Sequence, residues 1–190
     1  MSSDIYQYVY IEKHIPDDVC DTLIASCRDW KQAQVNQNVP KELVAGHRIS
    51  DSHWIRDEFW KQTFLSIIES INRNSFGFDI NSIENLQLTR YVAPNGHYHF
   101  HQDGNGYNPI INNLCRKISM SVVLNDDFEG GEFEYMVSKD PVSIKLGKGD
   151  IILFPSYLLH RVKPVTKGTR YSLVGWSLGN RLKLYLKHYN

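Results

Sequence analysis

Residues 118–137 read ISMSVVLNDDFEGGEFEYMV. Ile118, Met120, Val122 and Leu124 alternate with smaller partners, the period of two that marks a half-buried β-strand. NDDFEGG (125–131) then supplies turn residues, and GEFEYMV resumes an extended pattern. Outward from this pair the same rhythm holds from about Asn85, with VSIKL, DIILF and RYSLVGWSL as strands and KDP (139–141), GKGD (147–150) and TKG (166–168) as turns. Upstream of Asn85 the period lengthens. PDDVCDTLIASCRDW (16–30) opens on a proline and two acids and sets Val19, Leu23, Cys27 and Trp30 on one helical stripe. DEFWKQTFLSIIESINRNSFG (57–77) does the same with Trp60, Phe64, Ile67, Ile68 and Ile71, closing at Gly77. The expected class is mainly β with flanking helices, a jelly-roll barrel or sandwich backed by N-terminal α-helices. KQAQVNQNVPKELVAGHR (31–48) suits neither period and reads as a long loop, of the kind that closes over substrate.

With 190 residues and 42% apolar content, one domain with a sizeable core is expected. Lys+Arg and Asp+Glu are equal at 21 each, so no global field draws the chain to nucleic acid or to an anionic membrane. Three cysteines without a CxxC pair are poor material for a disulfide framework and point to a reducing compartment. MSSDIYQYVYIEKHIP lacks a basic region followed by an apolar run, and no segment approaches the roughly 20 apolar residues of a membrane span. A cytoplasmic monomer is the expectation.

Three motifs are decoys. GKG (147–149) runs toward a strand rather than a helix, unlike a phosphate loop. DGNGYNPIINNL (103–114) has no glycine at its sixth place and Leu114 where a calcium loop needs a bidentate glutamate. A nucleophile elbow GxSxG is absent.

YVAPNGHYHFHQDGNG (91–106) carries the chemistry. His101 and Asp103, two apart, can present an imidazole and a carboxylate to one metal ion while Gln102 turns away. His160 supplies a third donor, and two His with one carboxylate leave open positions for a co-substrate and O₂ on non-haem Fe(II). Two readings compete with this: a zinc cluster of His97, His99 and His101, and a surface HxD in a turn with no metal. Arg170, ten residues past His160, shares a face with Ser172, Val174 and Trp176 on the adjoining strand. A buried guanidinium needs an anion, which is either a dicarboxylate co-substrate or an internal partner, Glu132 or Glu134.

In Tyr91, Gly96, Tyr98, His101 and Asp103, then LNDDFEGGEF (124–133), GKGDIILF (147–154) and His160 to Trp176, the chain resembles the prolyl-hydroxylase group of 2-oxoglutarate- and Fe(II)-dependent dioxygenases. The resemblance implies a double-stranded β-helix over about residues 85–178, a supporting strand and helices over about 1–84, and a C-terminal tail from 179 to 190. It implies His101, Asp103 and His160 as iron ligands, and Arg170, with Tyr91 and Ser172, as the 2-oxoglutarate site. Trp176, Tyr98, Arg48 and Trp54 are then catalytic or substrate-lining. Val123 stands where the oxygen-sensing relatives carry a tyrosine, which shifts co-substrate anchoring toward Arg170 and Ser172. HRISDSHWI (47–55) looks like the end of a substrate-closing loop, with Arg48 and Asp51 as a charge pair and Trp54 as an anchor.

The implied activity is hydroxylation of a carbon centre, with 2-oxoglutarate and O₂ converted to succinate and CO₂ and with ascorbate as a candidate further cofactor. A peptidyl prolyl residue is the first substrate expected, ahead of a free amino acid or other small molecule. Repair dioxygenases for alkylated bases carry a second arginine where this chain has Trp176, which counts against nucleic acid. The alternative from another class is a sensor barrel that binds metal and 2-oxoglutarate without turnover.

Overall fold

The computed structural model describes residues 7–33, 46–105, 112–136 and 138–181. In chain order the first half runs β1 (Val9–Ile11), α1 (Asp17–Ala25), β2 (Lys31–Gln32), β3 (Arg48–Ile49), β4 (Asp51–Ile55) and α2 (Glu58–Ser75). Next come β5 (Ser82–Ile83), β6 (Leu86–Val92), β7 (His97–His101), β8 (Cys115–Val123), β9 (Phe128–Gly130) and β10 (Phe133–Met136). The last four are β11 (Pro141–Ile144), β12 (Ile151–Pro155), β13 (Leu159–Val162) and β14 (Val165–Gly179). The fold is mainly β, with antiparallel pairing, as the alternation downstream of Asn85 requires.

Two sheets carry these strands. One has the order β1-β12-β8-β14-β6-β4-β2, with β5 and β9 pairing β14, and the other the order β11-β10-β13-β7-β3. The alternation in residues 118–124 has a specific use. Ile118, Met120, Val122 and Leu124 join Leu23 of α1 and Phe64 and Ile68 of α2 in one buried cluster with Leu86, Leu88 and Leu173. Val123 enters a second buried cluster, with Phe133 and Tyr135 of the other sheet. One face of β8 therefore enters a cluster that also holds helix residues, and Val123 on the other face enters the cluster that holds residues of the second sheet. Burial of this apolar area is the main favourable term in the fold.

α2 begins as its sequence suggests: the Asp57 carboxylate accepts the Trp60 amide at 3.1 Å, satisfying one of the free N–H groups of the first turn. α1 ends sooner than the stripe suggests. It stops at Ala25, where the Ser26 hydroxyl donates to the Leu23 carbonyl at 2.7 Å, so Cys27 and Trp30 pack from outside the helix. Cys20 and Cys115 are buried, Cys27 is half-buried, and all three are free thiols.

Three local expectations change. Most of the segment read as a loop, residues 34–45, lies outside the described residues, but its two ends are strand: β2 pairs with β4 and β3 with β7. Within the stretch 47–55, Arg48–Ile49 and Asp51–Ile55 are strand rather than loop, β4 pairing with β6 over Asp51–Ile55. Within NDDFEGG, Phe128–Gly130 pairs with β14, so β14 begins at Val165 and Lys167–Gly168 is ladder rather than turn. No helix among the described residues is long and apolar enough to cross a membrane.

Candidate metal centre

β7 and β13 are neighbours in the five-stranded sheet, and their register sets His101 opposite His160. Asp103 lies two residues beyond the end of β7 and returns its carboxylate to the same point. Its Oδ1 is 3.5 Å from His101 Nε2 and its Oδ2 is 3.6 Å from His160 Nε2. One ligating atom from each of the three residues falls within 4.8 Å of the others, the separation one metal ion can bridge.

Both imidazoles are set for that task. His101 Nδ1 is 2.7 Å from the His99 carbonyl, and His160 Nδ1 is 2.8 Å from the Leu158 carbonyl. A carbonyl only accepts, so Nδ1 carries the proton and the Nε2 lone pair faces the cluster. Burial pushes His160 down to about 4, against the pull of Asp103, which keeps it neutral at pH 7. Burial alone would raise Asp103, but the two histidines and Arg116 around it hold it below the usual carboxylate range. The Ser119 hydroxyl donates to Asp103 Oδ2 at 2.7 Å, so the carboxylate is oriented as well as ionised.

The zinc alternative loses its donors. His97 has Nδ1 at the Asn95 carbonyl, 2.7 Å, and Nε2 at the Gly46 carbonyl, 2.9 Å, so neither nitrogen turns to His101. Among the described residues only His101, Asp103 and His160 form such a cluster.

Arg170 sits on β14, in the sheet opposite β13, and not on an adjoining strand as its spacing from His160 suggested. It is 1% exposed, and burial lowers its pKa, with Tyr91 opposing. Glu132 and Glu134, the candidate internal partners, are taken: Glu134 by Arg161 at 2.6 Å, and Glu132 by Lys163 at 3.5 Å. Arg170 Nη1 is buried with no hydrogen-bond partner, and no carboxylate pairs with Arg170 among the described residues. Its cross-strand partner is Tyr91, whose ring centroid lies 5.7 Å from the guanidinium carbon. Gly131 makes room for this: with φ 68°, it would place a Cβ 2.8 Å from Arg170 Cδ.

One pocket joins these groups. His101, Asp103 and His160 line it together with Arg170, Ser172, Tyr91, Tyr98, Arg48 and Trp176. Tyr98 stacks on His101 at 3.5 Å between centroids, and burial pushes its hydroxyl up to about 12, so it stays protonated. Trp54 is not among the lining residues; it is 41% exposed, with its ring 6.1 Å from that of Trp176. The expected Arg48–Asp51 charge pair does not form. Asp51 pairs with Arg90 at 2.8 Å, while Arg48 donates to Ser50 at 2.7 Å and to Gln87 at 3.1 Å.

Sequence reasoning passed over Ser119, Gln87 and Arg116. Ser119 and Gln87 had a usable signal, since each lies on the inward parity of a strand: Ser119 with Val123, and Gln87 with Tyr91. Arg116 donates to both Glu84 oxygens at 2.6 and 2.9 Å, and burial that would lower its pKa is outweighed by that carboxylate.

The donor set of two imidazoles and one carboxylate suits Fe(II), and a buried guanidinium with no carboxylate partner among the described residues suits a dicarboxylate. Both groups fit the residues present. Comparison with known proteins agrees. Residues 86–178 match the model of the 2OG-Fe(II) oxygenase superfamily, whose members use Fe(II) and 2-oxoglutarate with O₂. A PKHD-type hydroxylase of Idiomarina loihiensis is 39% identical over 94 residues, which is 50% of this chain and 42% of that protein. Another, from Synechococcus sp. strain CC9902, is 35% identical over 112 residues, 58% of this chain and 48% of that protein. The chain thus spans about half the length of the curated relatives it matches. Among solved structures, a Pseudomonas putida prolyl-4-hydroxylase superposes with a TM-score of 0.70 at 19% identity, over 93% of this chain and 94% of that one. A viral collagen prolyl hydroxylase from Paramecium Bursaria Chlorella virus-1, in its 2OG complex, gives 0.70 at 23%, over 94% and 99%. These two establish likeness of fold. Residues 86–178 thus belong with the 2OG-Fe(II) oxygenase superfamily, and the chain shares its fold with prolyl hydroxylases.

Proposed function

We propose that this chain is an Fe(II)- and 2-oxoglutarate-dependent dioxygenase that hydroxylates a carbon centre, with a prolyl residue in a peptide as the first substrate to test. The observation that carries the reading is the pairing, across one pocket, of a three-residue donor cluster with a buried guanidinium that lacks an anionic partner among the described residues. The two facing sheets are read as a double-stranded β-helix over about residues 85–178, within one domain that acts as a cytoplasmic monomer. PKHD-type relatives and the fold shared with prolyl hydroxylases support a hydroxylase; one such structure holds a hypoxia-inducible-factor peptide.

When bound, Fe(II) supplies the redox centre at which O₂ and 2-oxoglutarate are consumed, succinate and CO₂ are released and a C–H bond of the substrate is hydroxylated. His101, Asp103 and His160 are the residues that would hold it. Arg170 receives the distal carboxylate of 2-oxoglutarate in its fork, with Tyr91 packed against it and Ser172 alongside. Val123 lies opposite Ser172 in the ladder, so no tyrosine hydroxyl competes there and anchoring rests on Arg170. Tyr98 and Trp176 form part of the walls, which keeps water from the reacting centre, and Arg48, with the exposed Trp54 outside the pocket, would meet the substrate.

The test is succinate formation from 2-oxoglutarate by the full chain with Fe(II), followed by mass spectrometry on a proline-containing peptide library. A gain of 16 Da on a prolyl peptide, lost in Asp103→Ala, is the expected result. Absence of Fe(II)-dependent succinate with and without peptides would overturn the assignment.

A further inference from the structure

We infer that Glu84 and Arg116 are a positioning pair that fixes the Asp103 ligand and the Trp176 indole relative to each other. The inference rests on the reading of His101, Asp103 and His160 as metal ligands.

Asp103 lies past the end of β7, so no strand ladder holds its backbone. Three contacts do that work, one of them the Gly104 amide of the same peptide unit, which donates to the Ser156 carbonyl at 3.0 Å. Ser119 orients the side chain, and Arg116 Nη1 donates to the Asp103 carbonyl at 3.2 Å. The remaining donors of the Arg116 fork, Nε and Nη2, are both committed to Glu84, whose side chain is 7% exposed. With its Nε and Nη2 tied in this way the guanidinium cannot rotate, and its Nη1 is held toward the Asp103 carbonyl. Glu84 is itself anchored to β14, where its amide donates to the Trp176 carbonyl at 3.0 Å.

The same guanidinium lies 4.0 Å from the centroid of the Trp176 ring. Trp176 is 6% exposed, and its Nε1 has no hydrogen-bond partner, so no polar contact to the indole nitrogen sets the ring's orientation. Packing sets it, with the Arg116 cation on the ring and Trp54 beside it. One largely buried pair thus ties together four chain segments and determines where the Asp103 carboxylate and a pocket wall stand. It also does so without charge penalty, because Glu84 neutralises a guanidinium that would otherwise repel an incoming dication.

The test uses Mn(II) as the probe, with its dissociation constant read by electron paramagnetic resonance on the full chain. Arg116→Lys keeps the charge and loses the fork, while Glu84→Gln keeps the shape and loses the clamp. Each should weaken Mn(II) by about tenfold, the usual scale for partners that orient metal ligands. At saturating Fe(II) the 2-oxoglutarate KM should stay within about twofold, since Arg170 is untouched. Arg161→Lys is the control. It breaks a comparable two-nitrogen pair with Glu134, one residue from His160 but without a bond to a ligand residue, and should leave the Mn(II) constant within about twofold. Equal weakening in Arg116→Lys and Arg161→Lys would overturn the inference, as would unchanged Mn(II) binding in both pair variants. If Arg116→Lys fails to fold, Glu84→Gln against Arg161→Lys decides by the same criteria. A wild-type chain that binds no stoichiometric Mn(II), or an Asp103→Ala chain that binds it as tightly, would overturn the ligand assignment itself and this inference with it.

Discussion

Arg170→Met should make the metal-free protein more stable while destroying its response to 2-oxoglutarate. The wild-type guanidinium is 1% exposed, has a buried Nη1 without a partner and faces no carboxylate among the described residues. An unpaired buried charge costs several kcal/mol. The rings of Tyr91 and Phe128, at 5.7 and 6.0 Å from the guanidinium carbon, return roughly 0.5–1 kcal/mol each. A methionine of similar reach removes the charge and keeps most of the packing, so a gain of about 1–3 kcal/mol is expected. In a chain of this size that is roughly 2–10 °C in Tm. Co-substrate binding moves the other way. Leaving a buried carboxylate unpaired costs about 2–5 kcal/mol, roughly 30-fold or more in the dissociation constant. Thermal unfolding of the Mn(II)-loaded protein with and without 2-oxoglutarate reads both effects. Ligand at about 100 times its dissociation constant adds about 2.7 kcal/mol to the wild type, and the variant should show no shift at the same concentration. A variant that is less stable than wild type and still responds to 2-oxoglutarate would mean that Arg170 is a structural ion-pair partner, and the co-substrate reading would fall.

His101→Ala, Asp103→Ala and His160→Ala should each abolish stoichiometric Mn(II) binding, whereas His97→Ala and His99→Ala should keep it; paramagnetic resonance titration distinguishes the two sets. Gly131→Ala should lose about 1–2 kcal/mol from its left-handed backbone and also raise the 2-oxoglutarate KM, because the new Cβ lands 2.8 Å from Arg170 Cδ. Gly77→Ala shares the strain, with φ 67° and nothing within 4 Å, and should leave that KM unchanged. Burial lowers His160 from 6.5 to about 4, so between those values the unfolded chain binds the proton the folded chain refuses. The metal-free protein should therefore lose up to about 3 kcal/mol as pH falls through that window, and His160→Gln should flatten the slope in urea titrations.

Much of the site was legible because side-chain parity along a strand is a local property. Arg170, Ser172, Val174 and Trp176 share a face at i, i+2 spacing whatever else the chain does, and all four line the pocket. The HxD pattern and a downstream histidine gave the donor types, and the alternation of 118–124 gave a strand with one apolar face. Which side that face would meet was not legible. Ile118, Met120 and Val122 went into the cluster that holds helix residues, and the neighbouring Ser119 reached the Asp103 carboxylate. Partners separated along the chain were hidden for the same reason. Asp51 stands three residues from Arg48, yet the register of β4 on β6 places it opposite Arg90, and the pair forms there. Glu84 and Arg116 are 32 residues apart and meet only because β5 and β8 both lie on β14. Backbone geometry sets which residues share a face, and it acts over two residues. Which faces and charges meet depends on how distant segments pack, and the free energy that settles this, from burial and from satisfying each buried charge, exists only once the sheets have closed on one another.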